Sequence, residues 1–263
     1  MPLTAKVAHA DLHFWEEPCI SGKNGSGTVF FSGCTLRCVY CQNYQISHEK
    51  AGRFVSVQQL AEIFKDLEER GAHNINLVNP THYIDAIKRT LKIYHPKIPI
   101  VYNSGGYDKE SIIKENIFDI YLLDLKYLSE CSALKYSGAA DYPQVATKAI
   151  KAAYGLTGKP VYDENGIMRR GLIVRHLVLP RATREAISVA EWFKDNTSDA
   201  VLSVMAQYVP MYKAGEHPEI NRRITEREYE KVLNRIMELN IENVYIQQMA
   251  SASEQYIPHF NMI

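Results

Sequence analysis

Thr28-Val29-Phe30-Phe31-Ser32-Gly33-Cys34-Thr35-Leu36-Arg37-Cys38-Val39-Tyr40-Cys41 decides how this chain is read. The β-branched and aromatic run at its head has strand character. Three of the chain's five cysteines follow within eight residues. The C-x3-C-x2-C spacing puts three thiolates within reach of one inorganic centre. Iron–sulfur clusters are held by cysteine thiolates, normally four, and no fourth follows at a ferredoxin-like spacing. Three ligands on a four-iron cube leave one iron open, and an open position separates a metal site that does chemistry from one that only staples a fold. Two other readings stay open here. A Cys3His zinc site would borrow His13 or His48, although structural zinc uses paired C-x2-4-C knuckles. A thioredoxin-like Cys38/Cys41 pair would open a helix in a βαβ unit and leave Cys34 without a role.

Composition narrows the class. At 263 residues the chain has length for one large core, and 46% hydrophobic with 23% charged residues is ordinary for a globular protein. Lys+Arg and Asp+Glu are both 30, so nothing favours nucleic acid or a membrane as partner. No stretch approaches the ~20 apolar residues of a membrane-spanning helix. Met1 to Asp11 lacks a signal-peptide core, so the expected location is cytoplasmic, where thiols stay reduced. An odd cysteine count argues against a disulfide framework. Cys19 and Cys131 read as isolated, buried or half-buried residues.

Residues 9–26 read as an irregular leader whose glycines serve tight turns. Ser21–Thr28 lacks the phosphate-loop signature and precedes a strand instead of joining one to a helix. From there strands and helices alternate. Strands are expected at Thr28–Ser32, Asn74–Val78, Ile98–Asn103, Ile117–Leu125, Gly171–Leu179 and Ala200–Tyr208, with a short last one at Val244–Gln247. Helices are expected from an N-cap at Ser56 to about Arg70, then near Tyr83–Tyr94, Lys109–Glu115, Tyr142–Tyr154, Arg184–Phe193 and Glu226–Leu239. This pattern predicts an α/β fold with a parallel sheet covered by helices. It divides into a leader, 1–26, and one barrel-like domain, 27–263. Gly155–Gly166 reads as a turn-rich excursion, not a boundary.

In such sheets ligands bind at the C-terminal ends of the strands. Those ends carry the cysteines, Asn79-Pro80-Thr81-His82, Asn103-Ser104-Gly105-Gly106, Asp124-Leu125-Lys126, Arg175-His176 and Gln207-Tyr208. Period-two geometry puts Leu122, Asp124 and Lys126 on one face, opposite Tyr121, Leu123 and Leu125. A carboxylate and an ammonium together suit a zwitterionic ligand or its ribose hydroxyls. A polar strand end with an ion pair to solvent is the alternative. Arg175 either faces the cavity, where it would hold a carboxylate or a substrate backbone, or makes a surface ion pair.

The cysteine spacing with an aromatic, Tyr40, before the last cysteine resembles the radical S-adenosylmethionine (SAM) superfamily. Phe30-Phe31-Ser32-Gly33-Cys34, Tyr40-Cys41-Gln42-Asn43 and the lead-in Phe14-Trp15-Glu16-Glu17 with Ser21-Gly22 and Gly25-Ser26-Gly27 look like the activating enzymes of pyruvate formate-lyase and other glycyl radical enzymes. The similarity runs from about residue 9 to the end. It implies a partial (β/α)6 radical SAM barrel with a [4Fe-4S] cluster on Cys34, Cys38 and Cys41. In that family SAM chelates the open iron through its amino and carboxylate groups. One electron from the reduced cluster then breaks the S–C5′ bond, and the 5′-deoxyadenosyl radical takes hydrogen from a glycine Cα of a partner enzyme. The cluster would sit toward the negative end of a range of roughly −700 to +450 mV and be oxygen-sensitive. Flavodoxin or ferredoxin would be the electron donor.

The resemblance also assigns residues. Asp124 and Lys126 match the D-x-K segment that meets SAM. Tyr40 stands where a backbone contact to adenine is made, and Gln42 where a histidine is usual. Asn103-Ser104 align with an Asp-Thr pair that helps hold a cation by the SAM carboxylate. Gln207-Tyr208 match the sixth strand end, with Val209 in place of a histidine. Asn79-Pro80-Thr81-His82 replaces a Gly-Gly-Glu, and carbonyls of Asn79 and Thr81 would take over its hold on the methionine amino group. Three functions follow: a glycyl radical enzyme activase, a radical SAM enzyme acting on a small molecule or another peptide, and a non-catalytic iron–sulfur or zinc adaptor. The chain has no Arg-Val-x-Gly-Tyr segment, so it is not its own substrate. No further cysteine group follows Cys41 to hold an auxiliary cluster.

Overall fold

The strand that feeds the cysteine loop is paired on both sides. The computed structural model describes residues 4–49 and 51–247, so the last part of the expected domain, 248–263, lies outside the described residues. Strand β1 (Thr4–His13) is followed by the single turn α1 (Pro18–Ser21), β2 (Ser26–Phe31), the turn α2 (Tyr44–Ser47) and β3 (Arg53–Ser56). Next come α3 (Val57–Glu69), β4 (Ile75–Val78), α4 (Ile84–Ile93), β5 (Ile100–Ser104), α5 (Glu110–Ile113) and β6 (Ile120–Asp124). The remainder is α6 (Glu130–Ser137), α7 (Tyr142–Thr157), β7 (Val161–Tyr162), β8 (Met168–Leu177), α8 (Thr183–Thr197), β9 (Val201–Met205), α9 (Glu226–Glu238) and β10 (Val244–Ile246).

The sheet order is β10-β9-β8-β6-β5-β4-β2-β1-β3, with β7 attached to β8. The run from β2 to β10 is parallel throughout, while β1 pairs antiparallel with both β2 and β3. The result is an α/β fold of one mostly parallel, unclosed sheet, the architecture of a partial barrel. Ser56 caps α3 as expected, in a reciprocal box with Gln59 that satisfies two otherwise orphaned N–H groups.

Alternation along the strands makes two cores. Ile75, Leu77, Tyr102, Tyr121, Leu123, Leu172, Val174, Leu202 and Val204 face the helices and join the main core. Val101, Ile120, Leu122, Ile173 and Val201 face the other way, into the lumen, and close around Cys19 and Ile20 of α1. That short turn therefore stoppers the lumen at the N-terminal end of the strands.

Three expectations are corrected here. The leader is not irregular over 9–26, since it continues β1 to His13 and then forms the stopper. Ala, His and Asp in Thr4–His13 are weak strand formers, and pairing on two edges supplies what their propensity lacks. The stretch after β6 read as loop holds α6, and Cys131 within it is exposed, whereas Cys19 is buried as expected. Among the described residues no helix is long and apolar enough to cross a membrane.

Because Ile20 is fully buried in the lumen, Ile20→Ala is expected to cost about 2–5 kcal/mol. Urea unfolding checks this as a lower midpoint at unchanged slope.

Candidate active site

A cavity of about 230 Å³ opens at the C-terminal ends of the parallel strands. Cys38, Tyr40, Cys41, Gln42, Asn103, Asp124, Lys126, Arg175 and Gln207 all line it, as their place at strand ends predicts. His13, Trp15, Glu16, Glu17 and Gln247 line it too. Sequence reading offered His13 only as a zinc ligand and gave the other four no place in the site. Paired glutamates ahead of Pro18, where the chain would otherwise be apolar, were the available signal.

Arg175 faces the cavity, and the surface ion pair is not formed. Its Nε donates to Asp124 Oδ1 at 2.8 Å, its Nη1 to Glu16 Oε2 at 3.2 Å and its Nη2 to Asn103 Oδ1 at 3.0 Å. Lys126 Nζ meets the other Asp124 oxygen at 2.5 Å, and Asn76 Nδ2 donates to Glu16 Oε1 at 3.2 Å. Burial alone would raise the Asp124 carboxyl, but Lys126 and Arg175 override it and hold it down to about 2. Burial opposes the charge on Lys126 as well, and Asp124 wins, raising its pKa. Glu17 goes the other way: burial, opposed by Arg175 and reinforced by Glu16, pushes it up.

The cysteine loop is framed by phenols. Cys38 Sγ lies 3.0 Å from Ser137 Oγ, which lies 3.0 Å from the Tyr127 hydroxyl, itself bonded to the Tyr40 hydroxyl. The Tyr40 ring also packs edge-on against Tyr208. Its hydroxyl and ring are thus engaged in the core, while Tyr40 also borders the cavity. Tyr142 accepts from Lys126 N and donates to the carbonyls of Gly105 and Asp124, which ties the end of β5 to that of β6. At Gly106 (φ 78°) a Cβ would stand 2.1 Å from the Asp124 carbonyl oxygen, so only glycine fits this close approach.

The thiols fit a cationic cluster. None is in a disulfide. Burial pushes Cys34 up to about 11 and Cys41 up to about 12, and it raises Cys38; a charge on Cys38 raises the other two further. Three thiolates cannot coexist there unless metal charge replaces their protons. Leu36 N–H donates to Cys34 Sγ at 3.4 Å, the kind of contact that tunes iron–sulfur potentials. Among the described residues no three His, Cys, Asp or Glu side chains form a site for a single metal ion. The His48 ring packs on Tyr212, 4.8 Å between centroids.

The remaining expected residues fall elsewhere. Asn79, Thr81 and Ser104 line a separate small recess with Cys34, His82 and Asp108. Thr81 Oγ1 donates to Asp108 Oδ1 at 2.6 Å, and the Ser104 hydroxyl is bonded to Asp108 Oδ2. Asn103 and Ser104 therefore do not act as a pair. Neighbours on a strand point to opposite faces, and Asn103 goes to Arg175 and Glu16 while Ser104 goes to Asp108. Asn79, at φ 57°, turns the chain toward the recess.

The parallel partial barrel with three cysteines at its first parallel strand end defines the class. The sequence model of the Radical SAM superfamily matches residues 28–169, more than half of the chain, and the chain belongs to that superfamily. Its members use a [4Fe-4S] cluster and SAM. An uncharacterised protein of Methanocaldococcus jannaschii is 31% identical over 247 residues, which cover 89% of this chain and 68% of the relative. The 7-carboxy-7-deazaguanine synthase of Methanothermobacter thermautotrophicus is 27% identical over 115 residues, 43% of this chain and 46% of that enzyme. Among solved structures, TYW1 with a lysine–pyruvate adduct bound superposes with a TM-score of 0.59 at 12% identity, covering 95% of this chain and 88% of that one. HydG, a maturase of the [FeFe]-hydrogenase, gives 0.54 at 14% identity, covering 82% and 49%. At these identities the superpositions speak for the fold.

Asp124 is depressed from 3.8 to about 2, so its contribution to stability is complete above about pH 4 and fades as pH falls toward 2. Acid unfolding of Asp124→Asn is expected to show a shallower loss between pH 4 and 2 than the parent. Equal slopes would remove Asp124 from the folded-state ion pairing.

Proposed function

We propose that this chain cleaves SAM reductively at a [4Fe-4S] cluster held by Cys34, Cys38 and Cys41, and that the resulting 5′-deoxyadenosyl radical takes one hydrogen atom from its target. The observation that carries this reading is the placement of Cys38 and Cys41 in one cavity with Asp124, Lys126 and Arg175. The cofactors, when bound, supply the electron and the radical carbon. The protein's part is to bind and to orient. Asp124 and Lys126 offer an acceptor and a donor already locked to each other, suited to ribose hydroxyls and a carboxylate. Tyr40, Gln42 and Gln207 border the same space. The Arg175 guanidinium fixes Asp124 from behind.

For the target, the flanks of the cysteine motif favour a glycine of a partner enzyme, with flavodoxin or ferredoxin delivering the electron. A second reading is a small-molecule substrate. It is supported by further polar groups that line the cavity, Glu16, Glu17 and Gln247, and by the partial likeness to a deazaguanine synthase.

Anaerobic reconstitution with iron and sulfide, then dithionite and SAM, is expected to give 5′-deoxyadenosine. Cys34→Ala, Cys38→Ala and Cys41→Ala should each reduce it to the level without enzyme. A stable cluster that leaves SAM intact would sink the proposal in favour of an adaptor. A glycyl radical signal on a co-incubated partner enzyme would decide between the two targets.

A further inference from the structure

A buried charge is costly unless a counter-charge goes in with it, and Asp108 has none. It stands in the loop between β5 and α5, 2% exposed, and among the described residues it forms no ion pair. Hydroxyls hold it instead. Thr81 Oγ1 and the Tyr102 hydroxyl donate to Oδ1 at 2.6 and 2.7 Å, and the Ser104 hydroxyl donates to Oδ2. Ser104 Oγ in turn accepts the Gly106 N–H at 3.1 Å. A carboxyl that receives three donors and gives nothing back is bonded as the ionised form is, since that form only accepts. The hydroxyls solvate the charge without cancelling it.

The charge sits beside a cluster ligand. Asp108 lines the small recess together with Cys34, on the other side of that cysteine from the cavity bordered by Cys38 and Cys41. Its field reaches the sulfur. Burial is the main reason the Cys34 thiol lies high, and after the Leu36 amide and Cys38 come two charges, Lys126 pulling it down and Asp108 pushing it up. Lys126 is bonded to Asp124, whereas Asp108 has no such partner. Tying three hydroxyls together does not require a charge, because an amide oxygen accepts as well. The charge itself therefore asks for a cause.

We infer that Asp108 is a positioning residue for the cluster, acting through Cys34, and that its carboxylate keeps the cluster strongly reducing. The inference rests on the radical SAM reading and deepens it. A fixed negative charge in a buried setting opposes the arrival of one more electron, and charge and hydrogen bonding around the sulfurs are among the terms that set an iron–sulfur potential. The hydroxyls at the ends of β4 and β5 thus hold a charge where it acts on one ligand from the side away from the cavity.

The test is a redox titration of the reconstituted holoenzyme without SAM, followed by the electron paramagnetic resonance of the reduced cluster. Asp108→Asn keeps an oxygen for the Thr81 and Tyr102 hydroxyls and removes the charge. It is expected to make reduction about tenfold easier against a fixed donor, an upward shift of about 59 mV for one electron. Thr81→Val loosens the recess but keeps the charge, so its potential should lie at or below that of the parent. Asp108→Glu and Asp108→Gln match in shape and differ in charge. They carry the same comparison if Asp108→Asn takes up no cluster, with the Gln variant expected about tenfold easier to reduce than the Glu variant. An unmoved or lowered potential in Asp108→Asn, equal potentials in the Glu and Gln variants, or a rise in Thr81→Val would overturn the inference. A parent that assembles no cluster would overturn the radical SAM reading with it, whereas an unmoved potential in an enzyme that still forms 5′-deoxyadenosine would overturn this inference alone.

Discussion

The guanidinium of Arg175 is the interaction on which the site depends. It joins β8 to Asp124 on β6, to Asn103 on β5 and to Glu16 in the segment after β1. A planar fork of fixed donors meets three acceptors in three directions, a task that an ammonium on a flexible stem cannot perform. Buried ion pairs are a poor guide to net stability, since desolvation offsets their attraction. What this one supplies is position. With one Asp124 oxygen bound by Arg175 and the other by Lys126, both side chains at the end of β6 are held in place before any ligand arrives.

The cysteine loop depends on a second, uncharged device. Tyr40, Tyr127, Tyr142 and Tyr208 are all buried around it, and burial pushes the phenols of Tyr40, Tyr127 and Tyr142 well above their usual range. They stay neutral and serve as hydrogen-bonding struts. Tyr127 reaches Cys38 through Ser137, and its hydroxyl is bonded to that of Tyr40, the neighbour of the last cysteine. The loop thus acquires a rigid back wall without placing further charge beside three thiolates.

How much of this was legible depends on the range of the signal. The cysteine spacing, the alternation of strands and helices and the Ser56 cap are local patterns, and they appear where the sequence puts them. The face shared by Asp124 and Lys126 follows from period two alone, and the same rule separates Asn103 from Ser104. The aligned pair concealed that rule. What local pattern could not show is pairing at a distance. Strand β1 is made by its partners, and Glu16 and Glu17 become site residues only because α1 folds back into the lumen. Asn79 and Thr81 were placed by analogy with a motif the chain lacks, and the left-handed turn at Asn79 takes them to the Cys34 side.

The stopper at Cys19 and Ile20 has a bearing on access. It closes one of the two ends of the lumen, so traffic along the barrel axis passes the rim at the cysteine loop. Along that axis, anything held against the stopper would share one way in and out with whatever binds at the rim.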